Sequence, residues 1–170
     1  MEQSANDGGL TPRKRTPVER LMEKFASSRA GGYWYVNLAP PIDRRLFPLT
    51  GGRLTTGGRG RVGLLKVRGA KSGQVRETPL VFARDGDKVI LVASRGGDVK
   101  NPAWYHNVVA NPDVTFTIKG AEREYIAHTA EGAERERAWF LANERYAGYA
   151  VYQRRTQGRV IPVVVLEPRT

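Results

Sequence analysis

Side chains suited to binding or polarising a ligand gather in three stretches of the chain. The first is Gly69-Ala70-Lys71-Ser72-Gly73-Gln74, with Arg76 just beyond it. Glycines on either side of a Lys-Ser pair permit positive φ and let successive backbone N–H groups converge, a concavity that suits an anion when two cations stand beside it. The same residues would also make a plain hairpin turn with solvated charges, and Gly-x-Lys-Ser-Gly is too short for a Walker A loop.

The second stretch is Ala93-Ser94-Arg95-Gly96-Gly97-Asp98, followed by Lys100-Asn101-Pro102-Ala103-Trp104-Tyr105. Asn101 is a good N-cap and Pro102 suits the first helical position, so a short helix is expected here, ending near Asn111-Pro112. Its free N–H groups, with Ser94 and Arg95 close by, would take a phosphate or carboxylate. The alternative is an ordinary capped helix whose Trp104 and Val108 fill the core.

The third is Tyr146-Ala147-Gly148-Tyr149-Ala150-Val151-Tyr152. Residues three apart are neighbours on a helix, so the three hydroxyls should form a row. Such a row either lines a pocket or packs a core face.

The chain has no Cys, and its two His are His106 and His128. Thiol catalysis and disulfides are thereby excluded, and the ligands are too few for a metal centre, so no metal is expected. Lys and Arg number 28 against 17 Asp and Glu, a formal charge of +11. So basic a chain should meet acidic partners: nucleic acid, an anionic membrane surface, or a polyanionic small molecule.

The elements that must position these groups read as β-strands. Residues 61–68, 75–83, 88–94, 114–119, 122–129 and 160–167 are rich in β-branched and aromatic side chains, with Asp85-Gly86-Asp87 and Gly120-Ala121 as turns. Six strands with few helices between them, mostly linked by tight turns, make an antiparallel barrel rather than a parallel α/β sheet, and no GxGxxG or catalytic Ser elbow is present. A charged helix over 131–141 leads into the tyrosines. A length of 170 residues suits one domain.

Before the barrel, residues 1–17 lack the apolar content to order themselves and read as a disordered basic arm. Residues 18–28 place Val18, Leu21, Met22 and Phe25 on one helical face, which either packs on the barrel or touches an anionic membrane surface. Residues 31–61 form a long Gly- and Pro-bearing loop in which Tyr33, Trp34 and Tyr35 either plug a barrel end or stack on a flat ligand. The chain thus divides into an arm at 1–17, a helix and loop at 18–60, and a barrel at 61–170. No spanning helix or signal peptide is visible, so a cytoplasmic protein is expected.

The segments GAKSGQVRETPL, VASRGG, KNPAWYHNVVANPDV, ERYAGYAVYQRRT and RVIPVVVLEP, in that order and spacing, resemble the deazaflavin-dependent nitroreductase family. These are split β-barrel, FMN-binding-like proteins that bind coenzyme F420. The resemblance covers residues 62–168. It implies a mainly β (α+β) antiparallel split barrel with a few peripheral helices, and an F420H2-dependent reductase that transfers a hydride to a quinone, nitroaromatic or similar conjugated acceptor.

Residue by residue, the resemblance implies that Ala70, Lys71 and Ser72 hold the cofactor's phosphate and glutamate tail, while Arg76, Glu77, Thr78, Pro79, Leu80 and Val81 run beside the deazaflavin. Val92, Ala93, Ser94 and Arg95 would meet the ring edge and ribityl chain. Ala103, Trp104, Tyr105, His106 and Asn107 would wrap the phosphate with a helix N-terminus. Tyr149 would contact the cofactor and, with Ser94, act catalytically by holding an oxygen of the acceptor or supplying a proton; Tyr146, Tyr149 and Tyr152 would shape the acceptor pocket. Val81 and His106 depart from what some relatives carry, which bears on the acceptor. Some relatives are membrane-associated and use lipid quinone, so weak contact with the inner membrane surface is a further expectation. The residues alone leave two rivals: a carrier barrel for F420 or FMN, and a basic nucleic-acid-binding barrel, which lacks a recognised RNA-binding motif.

Overall fold

The computed structural model describes residues 62–169 together with positions 17, 28, 42, 45 and 46. Apart from those five positions, the expected arm, the helix over 18–28, the aromatic loop and the divisions of the chain before residue 62 lie outside the described residues.

Six strands, β1 (Val62–Arg68), β2 (Val75–Asp85), β3 (Lys88–Val92), β4 (Asp113–Ile118), β5 (Ala121–Thr129) and β6 (Val163–Pro168), close into a barrel in the order β1-β2-β3-β6-β5-β4, every neighbour antiparallel. Three α-helices accompany them within residues 62–169: α1 (Ala103–Ala110), α2 (Gly132–Arg145) and α3 (Gly148–Arg155). The expected antiparallel barrel is therefore present. Its boundaries shift by one or two residues at most strands and most at the β3–β6 pair, where β3 ends at Val92 and β6 begins at Val163. Pro162 has no N–H to give a ladder, and a single bond from Ala93 N–H to the Pro162 carbonyl (3.0 Å) is what remains of the pairing there. The β4–β5 turn is Lys119-Gly120, one residue earlier than expected, with both residues in the left-handed region.

Alternation along each strand sorts the core. Leu65, Val67, Phe82, Val89, Leu91, Val114, Phe116, Tyr125, Ala127, Val164 and Leu166 fill the barrel interior. The opposite faces of β3 and β6, carrying Ile90, Val92, Val163 and Val165, are covered by Ala138 and Ala142 of α2 and by Tyr149 and Tyr152 of α3. Both faces of these two strands are buried, which is why they read as unbroken apolar runs. In β4 and β5 one face meets solvent, and the sequence of β4 alternates.

Phe116 crosses the interior and meets the Phe82 ring edge-on, centroids 5.5 Å apart. It does so over Gly63, where an added Cβ would run into the Phe116 ring. Gly63→Ala is expected to cost about 1–3 kcal/mol by overpacking, read as a lower urea midpoint at unchanged m-value. An unchanged midpoint would show that the ring has room to move.

Candidate active site

The turn between β1 and β2 is closed by two backbone bonds, Gly69 N–H to the Gln74 carbonyl (2.8 Å) and Gly73 N–H to the Gly69 carbonyl (2.9 Å), with Gly73 at φ 67°. It is fastened to α1: Ala70 N–H donates to Asn107 Oδ1 (3.1 Å), and Asn111 Nδ2 donates to the Arg68 carbonyl (3.1 Å). The two stretches expected to bind an anion are thus brought to the same end of the barrel. Lys71, Ser72 and Arg76 are exposed there. Among the described residues, Arg68, Lys71 and Arg76 have no ion-pair partner, whereas Glu77 beside them is taken by Lys66 (3.7 Å).

The second turn winds through three consecutive left-handed residues, Arg95 (φ 47°), Gly96 (φ 67°) and Gly97 (φ 87°). Such a turn bunches carbonyl groups that need donors, and Arg159 supplies them. Its Nε and Nη2 donate to the Asp98 carbonyl (3.0 and 2.7 Å), Nη2 also to the Ser94 carbonyl (3.0 Å), and Nη1 to the Ala93 carbonyl (3.3 Å) and Asn101 Oδ1 (2.5 Å). The planar guanidinium suits this fan of acceptors because its donors are held in a fixed fork. Sequence reasoning missed Arg159, which lies 58 to 66 residues from its partners. The available signal was indirect, in that a turn with this many inward carbonyls requires a buried or half-buried donor.

Asn101 accepts from Arg159 and does not cap α1, which starts one residue later than expected. The N-cap is Pro102, which has no side chain able to accept, so the first N–H groups of α1 receive no side-chain cap. Trp104 and Val108 point into the barrel interior, Tyr105 shares a hydrogen bond with Thr129 Oγ1 (3.2 Å), and Ala103 and His106 are exposed. From α1, therefore, Asn107 and Asn111 are fastened to the cationic turn, while Trp104 is a core residue. Asp98 is held below the usual carboxylate range, first by the backbone N–H of Lys100, with further help from Arg95 (Nε to Oδ2, 3.3 Å).

Between these two turns β2 has a free edge. Its ladder with β1 covers residues 75–81, but its ladder with β3 starts only at Phe82↔Leu91. On the β3 side, then, residues 75–81 have no strand partner among the described residues, with β3 at one end of that edge and α1 at the other. The residues expected along this edge divide by parity: Leu80 packs toward the barrel interior, and Glu77 joins Lys66 on the outer face. A ligand lying here would meet the backbone and side chains of one parity, not all six of Arg76 to Val81.

The three tyrosines meet, but not as a helical row. α2 stops at Arg145, Tyr146 is extended (φ −152°, ψ 100°), and α3 starts at Gly148. Gly148 is required at this break, since a Cβ there would enter the Tyr146 ring. The rings form a triangle with centroids 5.1, 5.9 and 6.5 Å apart. Tyr146 and Tyr152 share a hydrogen bond through their hydroxyls (2.9 Å). The Tyr149 ring is buried, yet its hydroxyl has no hydrogen-bond partner among the described residues, and the same holds for the buried Ser94 hydroxyl. Burial, then the neighbouring Tyr152, push the Tyr149 phenol well above its ordinary 10.0, against the pull of Arg145. It is therefore a neutral donor. α3 abuts the second turn, a Cβ on Gly97 falling 2.9 Å from the Tyr152 carbonyl.

Elsewhere His128, Glu134 and Glu167 come within 4.8 Å of one another. Lys88 already pairs with both carboxylates, at 2.6 Å from Glu167 and 3.8 Å from Glu134, so the group reads as an ion-pair network. The site as a whole joins cations, an uncapped helix N-terminus and a free strand edge to two unpaired hydroxyls. That donor set fits a long ligand with an anionic tail and a planar, hydrogen-bonding head.

The family model described as F420H(2)-dependent quinone reductase matches residues 44–168. The F420H(2)-dependent quinone reductase Rv1261c of Mycobacterium tuberculosis is 45% identical over 109 residues, 62% of this chain and 72% of its own length. Among solved structures, the F420-H2 dependent reductase FDR-A is 44% identical with a TM-score of 0.59, covering 63% of this chain and 94% of its own. A second, described as a domain-swapped dimer, is 39% identical with a TM-score of 0.62, covering 75% and 96%.

Proposed function

The chain belongs to the F420H(2)-dependent quinone reductase family, and from that premise we propose that it is an oxidoreductase using reduced coenzyme F420 to reduce a quinone, or a nitroaromatic of similar shape. The observation that supports this reading is the Ala70–Asn107 bond, which fastens the cationic turn at the start of β2 to α1.

When bound, reduced F420 supplies a hydride. The protein's task is to bind, orient and exclude water. Lys71, Arg76 and the N–H groups of the turn hold the acidic tail, with the start of α1 adding its dipole. The free edge of β2 and Val92, Ala93 and Ser94 flank the ring. Reduction of a quinone or nitro group leaves negative charge on oxygen, and a neutral hydroxyl held in place beside it stabilises that charge by donating a hydrogen bond. Tyr149 and Ser94 are the hydroxyls available, while Tyr146 and Tyr152, bonded to each other, shape the acceptor side. No described helix is long and apolar enough to cross a membrane. The reaction is assigned to the cytoplasm, with residues 18–28 as the contact to the inner membrane surface where the quinone is lipid.

The test mixes purified protein with reduced F420, then menadione or a nitroaromatic, and follows the deazaflavin absorbance. Oxidation with menadione is expected; binding of F420 without turnover would make the chain a carrier, and preference for FMN or an oligonucleotide would overturn the reading. Tyr149→Phe should lower kcat about tenfold, the worth of one hydrogen bond, and leave F420 affinity within about twofold. Because the phenol is held neutral, the pH–rate profile up to 10 should show no limb that Tyr149→Phe removes. Unchanged kcat in this variant would take Tyr149 out of the mechanism.

A further inference from the structure

The end of the barrel away from the Gly69–Gln74 turn is not plugged by α1. It opens on a cavity of about 790 Å³ near the β4–β5 turn and the end of β2. Phe82, Phe116, Ile118, Tyr125 and Leu141 make its floor, and Arg84, Lys119 and Arg123 stand around it, with Glu144 and Arg145 at one side. We propose that this mouth binds a single-chain amphiphile with an anionic head, of the alkyl carboxylate type, at a site separate from the cofactor's.

Strand parity puts the charges where they are. Phe82 and Tyr125 belong to the barrel interior, and Arg84 and Arg123 lie two residues from them on the same strands, so they leave the sheet on the inward side. Lys119 reaches the mouth from a two-residue turn in which it and Gly120 both have positive φ, 50° and 84°. Asn, Asp or Gly normally fills that position, so Lys is there despite the turn.

The pairing of charges then identifies the head group. On the rest of the barrel Lys66, Lys88, Arg137 and Arg169 each sit on a carboxylate, at 2.7, 2.6, 2.6 and 2.9 Å. Arg84, Lys119 and Arg123 have no ion pair or side-chain hydrogen bond with any described residue. Glu144 is the one carboxylate among the described residues that line the cavity. Three unpaired cations above an aromatic and aliphatic floor complement a molecule with one anionic end and an apolar body, and the volume lies in the range of pockets for such ligands, roughly 300–1,000 Å³. Inward charges also discourage strand addition at sheet edges. That role would need neither the apolar cavity beneath them nor the absence of carboxylates.

The experiment titrates the full chain with dodecanoate below its micelle concentration, with dodecyl phosphate, and with dodecan-1-ol. Saturable one-to-one binding of dodecanoate is expected, about tenfold or more tighter than the alcohol, with dodecyl phosphate behaving like the carboxylate. The variant Arg84→Thr/Lys119→Asn/Arg123→Thr should lose that preference while keeping its affinity for the alcohol and for F420. Asn suits the turn better than Lys, and Thr suits a strand, so folding should survive; should it not, Arg123→Thr alone must weaken dodecanoate by about threefold. Equal affinity for acid and alcohol, wild-type binding by the variants, full competition by acetate, displacement by an acidic peptide, or no saturable binding would each overturn the proposal.

Discussion

Replacing Arg159 with methionine should lower the melting temperature by roughly 10 °C and weaken F420 binding in the same variant. The guanidinium satisfies the carbonyls of Ala93, Ser94 and Asp98 and the side chain of Asn101. Methionine keeps the apolar stem but leaves these acceptors half-buried and without donors. Together these losses amount to about 3 kcal/mol, which for a domain of this size corresponds to the stated shift. The turn they hold contains a non-glycine residue, Arg95, in the left-handed region, and without its anchor the turn should relax toward commoner conformations. Ser94 and the start of α1 would move with it. Arg159→Lys should recover only part of the loss, since an ammonium cannot span the fan of acceptors. A melting temperature within about 2 °C of wild type would mean the turn holds itself, and the predicted loss of cofactor affinity would then have no basis.

Lys71→Ala combined with Arg76→Ala should weaken F420 binding about 30-fold at low ionic strength, taking about 1 kcal/mol for each exposed charge-assisted contact. The loss should shrink to a few-fold near 0.5 M salt, where the Debye length is about 4 Å and the wild-type contacts are themselves screened. Stability should be almost unchanged, because neither side chain is paired with a described residue. This combination separates a binding role from a structural one. If affinity were wild-type at all salt concentrations, the acidic tail would lie elsewhere.

Sequence periodicity exposed most of the barrel for a physical reason. β4 meets solvent on one face, so the inside-outside alternation of Val114 and Phe116 is written in the residues, whereas in β5 the exposed Ile126 between Tyr125 and Ala127 left the buried face unmarked. The turn at Gly69–Gln74 was legible too, since glycine and charge have few other uses at that spacing. What depended on long-range contacts was not. Asn101 has every local mark of an N-cap, yet its side chain is claimed by a residue 58 positions away. Tyr146 has helical spacing to its fellows, yet its own extended backbone ends α2 before α3 starts at Gly148, and the phenols become a triangle in which just one of the three hydroxyls has no described partner. Trp104 read equally well as ligand contact or core, and only the position of α1 across the barrel end decides for the core.

The closing strand carries a consequence for biosynthesis. β6 pairs with both β3 and β5, and Arg159 lies just ahead of it, so neither the barrel nor the second turn can be completed while this part of the chain is still inside the ribosome. A nascent polypeptide ending at residue 155 would display the first turn's cations with the second turn unpinned and β3 unsheltered along one edge. Acquisition of the coenzyme is thereby deferred until residues 159–168 have left the ribosome, and a truncated product should be a substrate for proteases and not a slow enzyme.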